Sequence, residues 1–551
     1  MDLTSARRAR SGWAIVGVAV ALAVAGPLIA LPLSFVVGEQ FFDPIARLLL
    51  PQALGRSVVL ALGVAAGTLV VGGGLAVLVS FYDFPGRRWL EWALVLPLAL
   101  PGYVLVFVML GQLGLANPLA TSIFGGGLTL PGLHGAAGAI GALVAVLYPY
   151  VYVLGRSAFL GQSRSALEAA RSLGRSYGQA VRGVALPLAR PALAAGAALA
   201  MMEALADFGV VNLLGYQTLT DTIYRVWYDG SAFDPAAALQ LASVLVSLAL
   251  LLVVVERLMR GRARYDQALS AGDAVAPRPL RGWRALVACA VPTLLLVVVF
   301  VAPVLQLVAW SLETLVTDRL SDDLGRAVVS TLLLALAAAA VAVCTATLVS
   351  YGQRVAPSRT GRGAARLATV GYAVPGAVIA VAIYVPLVWL DRRLIAVADG
   401  WFDASIGLLF TGTVLGLIGA YVVRFHAQAY FAVESRMGRV APNLDDAARA
   451  LGADRSRVLL DVHVPLLWPG VLTGALLVVV EVVKELPATA LLRPLGSDTL
   501  AIVAWEATKD SRYDAAALPA LLIVLVGLVP VIMLIRLSRR ESRDSAEMLV
   551  G

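Results

Sequence analysis

Charge is scarce in this chain: 14% of its 551 residues are charged against 60% hydrophobic, and the mean hydropathy is +0.85. A soluble surface cannot be built from so few charges, so a large soluble domain is excluded and lipid is required as solvent. Cysteine is nearly absent. Cys289 and Cys344 lie in apolar stretches without CxxC spacing, which excludes a disulfide framework and a cysteine zinc site. The three histidines, His134, His426 and His463, are too scattered to ligate one metal. The only lysines are Lys484 and Lys509, preceded by Val483 and Thr508. Neither completes the G-x-x-x-x-G-K-[ST] loop whose amides and ammonium cradle a nucleotide, and no GxGxxG joins a strand to a helix. No nucleophile is spaced with a base either, which leaves a membrane-embedded enzyme without catalytic residues.

What is present is a succession of apolar runs of about 20 residues, each long enough to cross a hydrocarbon core as a helix. About twelve are expected, and they predict an all-α integral membrane protein. The first, roughly Trp13 to Val37, follows Arg7, Arg8 and Arg10 and is too long for a cleaved signal. Arginine-rich segments then fall on one side: Arg87 and Arg88; Arg164 to Arg182; Arg257 to Arg264; Arg354 to Arg366; and Arg536 to Arg543. The positive-inside rule makes that side cytoplasmic, and with it both termini. Arg392 and Arg393, expected in an outer loop, run against the trend. Topology thus accounts for the net charge of +8, and no nucleic-acid partner is implied. Arginine in place of lysine, with abundant Ala, Gly and Val, suits a bacterium of high GC content, hence an inner (plasma) membrane.

The chain also matches itself. Leu54-Gly-Arg-Ser-Val-Val59 returns as Leu324-Gly-Arg-Ala-Val-Val329, Leu78-Val-Ser-Phe81 as Leu348-Val-Ser-Tyr351, and Leu100-Pro-Gly102 as Val374-Pro-Gly376. Glu168-Ala-Ala-Arg-Ser-Leu-Gly174, followed by Val184-Ala-Leu-Pro187, returns as Asp446-Ala-Ala-Arg-Ala-Leu-Gly452, followed by Val462-His-Val-Pro465. Order and approximate spacing are kept, which predicts two parallel repeats of about six helices each. The repeats are expected at 1–257 and 285–551, joined by a cytoplasmic linker at 258–284.

The last of these elements lies in long cytoplasmic loops, at about 161–190 and 431–468. Ser165 with Glu168, and Asn443 with Asp446 after Pro442, have the spacing of a capping box and predict a helix start. Ala169, Ala170, Ala447 and Ala448 permit close approach of another surface, and Gly174 and Gly452 suit a helix end. Glu-Ala-Ala, three residues, Gly, nine residues, a hydrophobic residue, one residue, Leu-Pro is the pattern of the permease subunits of binding-protein-dependent ABC importers. The chain resembles that family over nearly its whole length, with Asp446 for Glu and Val464 for Leu as departures.

The resemblance implies a type I ABC importer permease fold, with Glu168, Ala169, Ala170, Gly174, Asp446, Ala447, Ala448 and Gly452 forming two segments that dock on ATPase subunits. It further implies two copies of an ATP-binding cassette ATPase carrying the ATP and magnesium, no catalytic residue, metal or cofactor on this chain, and a periplasmic or lipid-anchored solute-binding protein.

Within the apolar runs, Glu203 and Asp207 stand one helical turn apart, and Glu481 and Glu485 repeat that spacing beside Lys484. Ionisable groups at such depth line a pathway or pair with one another. Both readings stay open: carboxylates that line a polar path for a cation, or structural acids bonded between halves with Lys484 neutralising Glu481 or Glu485. The segments Met202 to Gly209, Val483 to Thr489 and Asp498 to Leu500 resemble fused two-copy permeases associated with ferric iron, with thiamine or another small solute as the alternative cargo. An ion-coupled secondary transporter shares the helix count and the repeat. It has no use for two cytoplasmic docking elements.

Overall fold

A computed structural model describes residues 3–37, 42–113, 134–162, 164–228, 235–260, 277–317, 322–441, 444, 447–448, 450–452 and 457–547. Among them the secondary structure is helical except for one parallel pairing of two-residue strands, Tyr82–Asp83 with Arg278–Pro279. Among the described residues nine helices are long and apolar enough to span a bilayer, or ten when Arg87–Ala99 and Gly102–Gly111, bent by 90° at their junction, count as one. About twelve were expected; two further long helices, Gly376–Phe402 and Val414–Met437, are present. They fall short of the apolar criterion because Asp391, Arg392 and Arg393 interrupt one and Arg424, His426 and Gln428 the other. Arg392 and Arg393 are therefore helical, not loop, residues.

Lipid as the solvent is written on the surface. Leu48, Val70 and Leu286 are 79%, 75% and 71% exposed. Each would cost about 1.5–3 kcal/mol in water relative to burial. The chain is a multi-pass membrane protein.

Two compact units emerge, and they do not follow chain order. One gathers Met1–Leu50, Thr222–Val246 and Ser321–Val503; the other gathers Pro51–Asp221, Ser247–Leu320 and Ala504–Gly551. The first helices of the two sequence repeats have thus exchanged cores. In the first unit Val20 and Ala21 pack on Ala364 and Ala368, and Trp13 meets Tyr351 edge-on at 5.2 Å. There Val414–Met437 also packs against both Asp322–Val355 and Val464–Val483. In the second unit Leu186–Ala206 runs along Ala136–Leu160, and Tyr513–Glu547 along Ala302–Val316. Small residues permit this: a Cβ on Gly196 would stand 2.7 Å from the Cα of Val151. Such contacts hold membrane helices together where no hydrophobic drive acts between them.

Breaks fall at matching places. A 3₁₀ turn, Leu96–Ala99 or Val370–Ala373, precedes each Pro-Gly pair, and a new helix starts at Gly102 or Gly376. Proline cannot donate to the preceding turn, so the helix ends there. Around the seam, helix Pro235–Arg260 covers Arg257 and a new helix opens at Trp283, so the ends of the expected linker are helical.

Candidate functional site

The first of the two repeated elements is the helix Arg164–Ser172. Ser165 lies inside it, so the helix begins before the position predicted to cap it. The capping box is instead at Ser176: its side chain accepts the Gln179 N–H at 3.4 Å, and Gln179 accepts the Ser176 N–H at 2.9 Å. Gly174 ends the helix with φ +83°, and Arg175 N–H reaches the Ala170 carbonyl at 3.2 Å, the six-to-one bond of a Schellman turn. Glu168, Ala169 and Gly174 are exposed, whereas Ala170 is turned into the chain. In the second element Ala447 and Gly452 are exposed, Ala448 is half-buried, and Gly452 has φ +85°. Asp446, with Pro442 and Asn443, lies outside the described residues.

Nothing lies within 4 Å of a Cβ built on either glycine, so conformation alone requires glycine there. Gly174→Ala and Gly452→Ala should each cost about 1 kcal/mol locally. Faster amide exchange at the end of each helix would report it; unchanged exchange would remove this reason for glycine.

Beyond each element the backbone widens into a π-helical stretch, Val181–Ala185 or Val458–His463, just ahead of Pro187 and Pro465. A proline ring presses on the carbonyl four residues back, and a local π turn relieves that crowding. One interval, 278 residues, relates Glu168 to Asp446, Gly174 to Gly452 and Leu173 to Leu451. The two leucines are 83% and 89% exposed. Sequence reasoning passed them over, although an apolar residue held at one register in two polar loops is a readable sign.

The intramembrane acids obey the same interval, Glu203 to Glu481 and Asp207 to Glu485. In the first unit Glu485 stands where helix Val464–Val483 gives way to the short helix Pro487–Leu492. Its Oε1 accepts the Ala488 N–H at 3.0 Å and lies 3.2 Å from Arg424 Nη1, and its side chain is 4% exposed. A Cβ on Gly376 would collide with both Arg424 and Glu485, so glycine lets that helix start against the pair. Lys484 pairs with Glu481 at 2.7 Å, both half-buried. The far end of the short helix is held by Tyr228, whose hydroxyl donates to the Ala490 carbonyl at 2.6 Å.

In the second unit Asp207 ends helix Leu186–Ala206, and its Oδ1 accepts the Val210 N–H at 2.9 Å at the start of Gly209–Leu213. Thr220 donates to the Asp207 carbonyl at 2.8 Å. A Cβ on Gly102 would stand 2.8 Å from Val210 and 3.7 Å from Asp207 Oδ2. Each unit therefore has a carboxylate capping a broken helix and a Pro-Gly turn packed against it. Such breaks supply polar backbone at membrane depth. The repeats differ in charge: Val146 and Ala206 hold the positions of Arg424 and Lys484. Sequence reasoning left Lys484 between Glu481 and Glu485, of which the structure pairs it with Glu481, and missed Arg424, 61 residues from its partner.

Among the described residues no group of three or more His, Cys, Asp or Glu side chains is arranged to hold a metal ion.

Residues 71–265 and 342–543 each match the family of the binding-protein-dependent transport system inner membrane component. The Fe(3+)-transport system permease protein FbpB 2 of Haemophilus influenzae is 25% identical over 480 residues, covering 86% of this chain and 87% of that protein. A probable molybdenum ABC transporter permease of Haloferax volcanii is 32% identical over 182 residues, 32% of this chain and 62% of that protein. The molybdate/tungstate permease WtpB of Thermococcus kodakarensis is 25% identical over 211 residues, 38% of this chain and 79% of its own length. The last two are about half as long as this chain, whereas FbpB 2 is matched across both repeats. With the family present twice over most of its length, the chain belongs to the binding-protein-dependent transport system inner membrane components, the permeases of ABC importers.

Proposed function

We propose that this permease moves ferric iron, delivered by a separate solute-binding protein, into the cytoplasm, driven by two copies of an ATPase that dock on the segments at 164–176 and 447–452. Both termini and both docking segments are cytoplasmic in this reading, with repeats at 1–257 and 285–551 joined through 258–284. The observation that carries it is the duplicated, outward-facing docking element in a chain with no nucleotide-binding loop of its own. Two exposed copies suit two motor subunits, and closure of the motors can then rock the permease between access states. Iron as the cargo draws on the name of the Haemophilus relative matched along both repeats. It also draws on the carboxylates Glu203, Asp207, Glu481 and Glu485, hard oxygen groups suited to a hard cation along the path rather than to resident binding.

In proteoliposomes holding this chain and its co-purifying ATPase, hydrolysis is expected to rise when a binding protein loaded with Fe(III) is added. Thiamine-loaded and molybdate-loaded binding proteins should leave it at the basal rate. Stimulation by either of these alone would replace iron as cargo. Accumulation driven by a proton or sodium gradient without ATP would replace the importer reading with an ion-coupled carrier.

A further inference from the structure

The end of the inter-repeat segment does not leave the protein surface free. Arg278 and Pro279 pair as a parallel strand with Tyr82 and Asp83, and Leu280 N–H donates to the Asp83 carbonyl at 2.8 Å. The Arg278 guanidinium lies 5.8 Å from the centre of the Tyr177 ring. Tyr82 meets the same ring edge-on at 5.8 Å, and the Tyr177 hydroxyl donates to the Phe81 carbonyl at 3.0 Å. Tyr177 directly follows Ser176, whose capping box opens the helix behind the first docking segment. Three contacts of different kinds therefore converge on the residue at which that segment joins its helix, and all of them lie in one compact unit.

We propose that residues 278–280 form a strap that positions the first docking segment, with Arg278 and Tyr177 as positioning residues, so that the two motor-docking segments are mechanically unequal. Among the described residues, the chain that joins the repeats fastens the first of them, through Arg278 on Tyr177. At the position of Tyr82 the second repeat carries Gly352, and the ring of Trp13 lies over it instead, 3.1 Å from where a Cβ would stand. A clamp built on one face of one ring adds little to global stability. Its effect is local, holding the turn at Gly174 to Ser176 in register while the motor pulls on it. This rests on the reading of residues 164–176 as a docking segment.

The test uses the full chain with its co-purifying ATPase in detergent or nanodiscs. In Arg278→Ala, amide exchange across 164–180 is expected to rise about two- to fivefold, the loss of one cation–ring contact, while exchange across 457–463 stays constant. Affinity for the ATPase should fall by a similar factor, and Arg278→Lys, which keeps a cation over the ring, should restore both. Unchanged exchange in the first segment, or an equal rise in both, overturns the strap. A local rise with unaltered ATPase affinity overturns its positioning role. Failure of the docking reading itself would show separately, as undiminished ATPase binding when exposed residues of the segment are altered.

Discussion

Replacing Leu173 and Leu451 together by aspartate is expected to release the ATPase and abolish ATP-driven uptake, while the permease still folds and inserts. Both side chains are more than four-fifths exposed and each precedes a glycine with left-handed φ, so they stand at the outward corner of a turn and support nothing beneath them. Surface substitutions at such positions change fold stability by about 0.5 kcal/mol or less. An exposed leucine on a polar loop outside the apolar spans has no lipid to cover it. Seated in a partner's pocket it would act as an anchor worth about 2 kcal/mol or more. Two anchors lost, with a charge placed in each pocket, predicts at least a hundredfold fall in ATPase retention, on the order of 3 kcal/mol. Co-purification of the ATPase with the double variant at wild-type yield would remove the leucines from the interface.

Arg424→Val should cripple the protein in a different way, by destabilising it. Glu485 is 4% exposed and keeps one backbone N–H, from Ala488, but loses its countercharge. Breaking a buried pair from one side costs about 3–5 kcal/mol, because the remaining charge stays desolvated. Valine is a fair test residue because Val146 occupies the matching position in the other repeat, so the helix accepts that side chain. The double variant Arg424→Val with Glu485→Gln removes both charges and keeps an acceptor for Ala488, and should recover most of the loss. Thermal unfolding in detergent, read as the yield of folded monomer, separates these outcomes. A double variant as unstable as the single one would mean that the pair does not hold this break together.

The parts of this protein readable from sequence are those governed by local spacing or by repetition. Gly174 and Gly452 were legible as helix ends because a left-handed turn needs glycine whatever surrounds it. Lys484 was legible as the neighbour of Glu481 or Glu485 by local spacing, and three-dimensional packing settles on Glu481. Ser165 was the wrong cap because Ser165–Glu168 and Ser176–Gln179 fit one pattern. Only the turn at Gly174 tells them apart: it leaves Ser176 extended at φ −65° and ψ 158°, ready to accept, while Ser165 is already inside a helix. Arg424 stayed hidden because nothing within a single helix announces a partner on another, and the contact of Gly102 with Asp207 and of Gly376 with Glu485 crosses more than one hundred residues. The exchange of first helices was equally invisible. An apolar span carries no record of which core it covers, because its outward face is written for lipid.

That exchange sets a clock on biogenesis. The span Ile15–Val36 is made first, yet Val20 and Ala21 lie against Ala364 and Ala368, more than three hundred residues later. At about 5–20 residues per second the ribosome needs on the order of tens of seconds to deliver that partner. Gln240 and Ser243, which bond the Ser34 and Leu31 carbonyls, arrive earlier but still more than two hundred residues behind it; until then the first helix stands in the bilayer as a lone element, tolerable because its backbone bonds are internal and its sides are apolar. A helix that must wait so long is one that an insertase or a chaperone has time to meet.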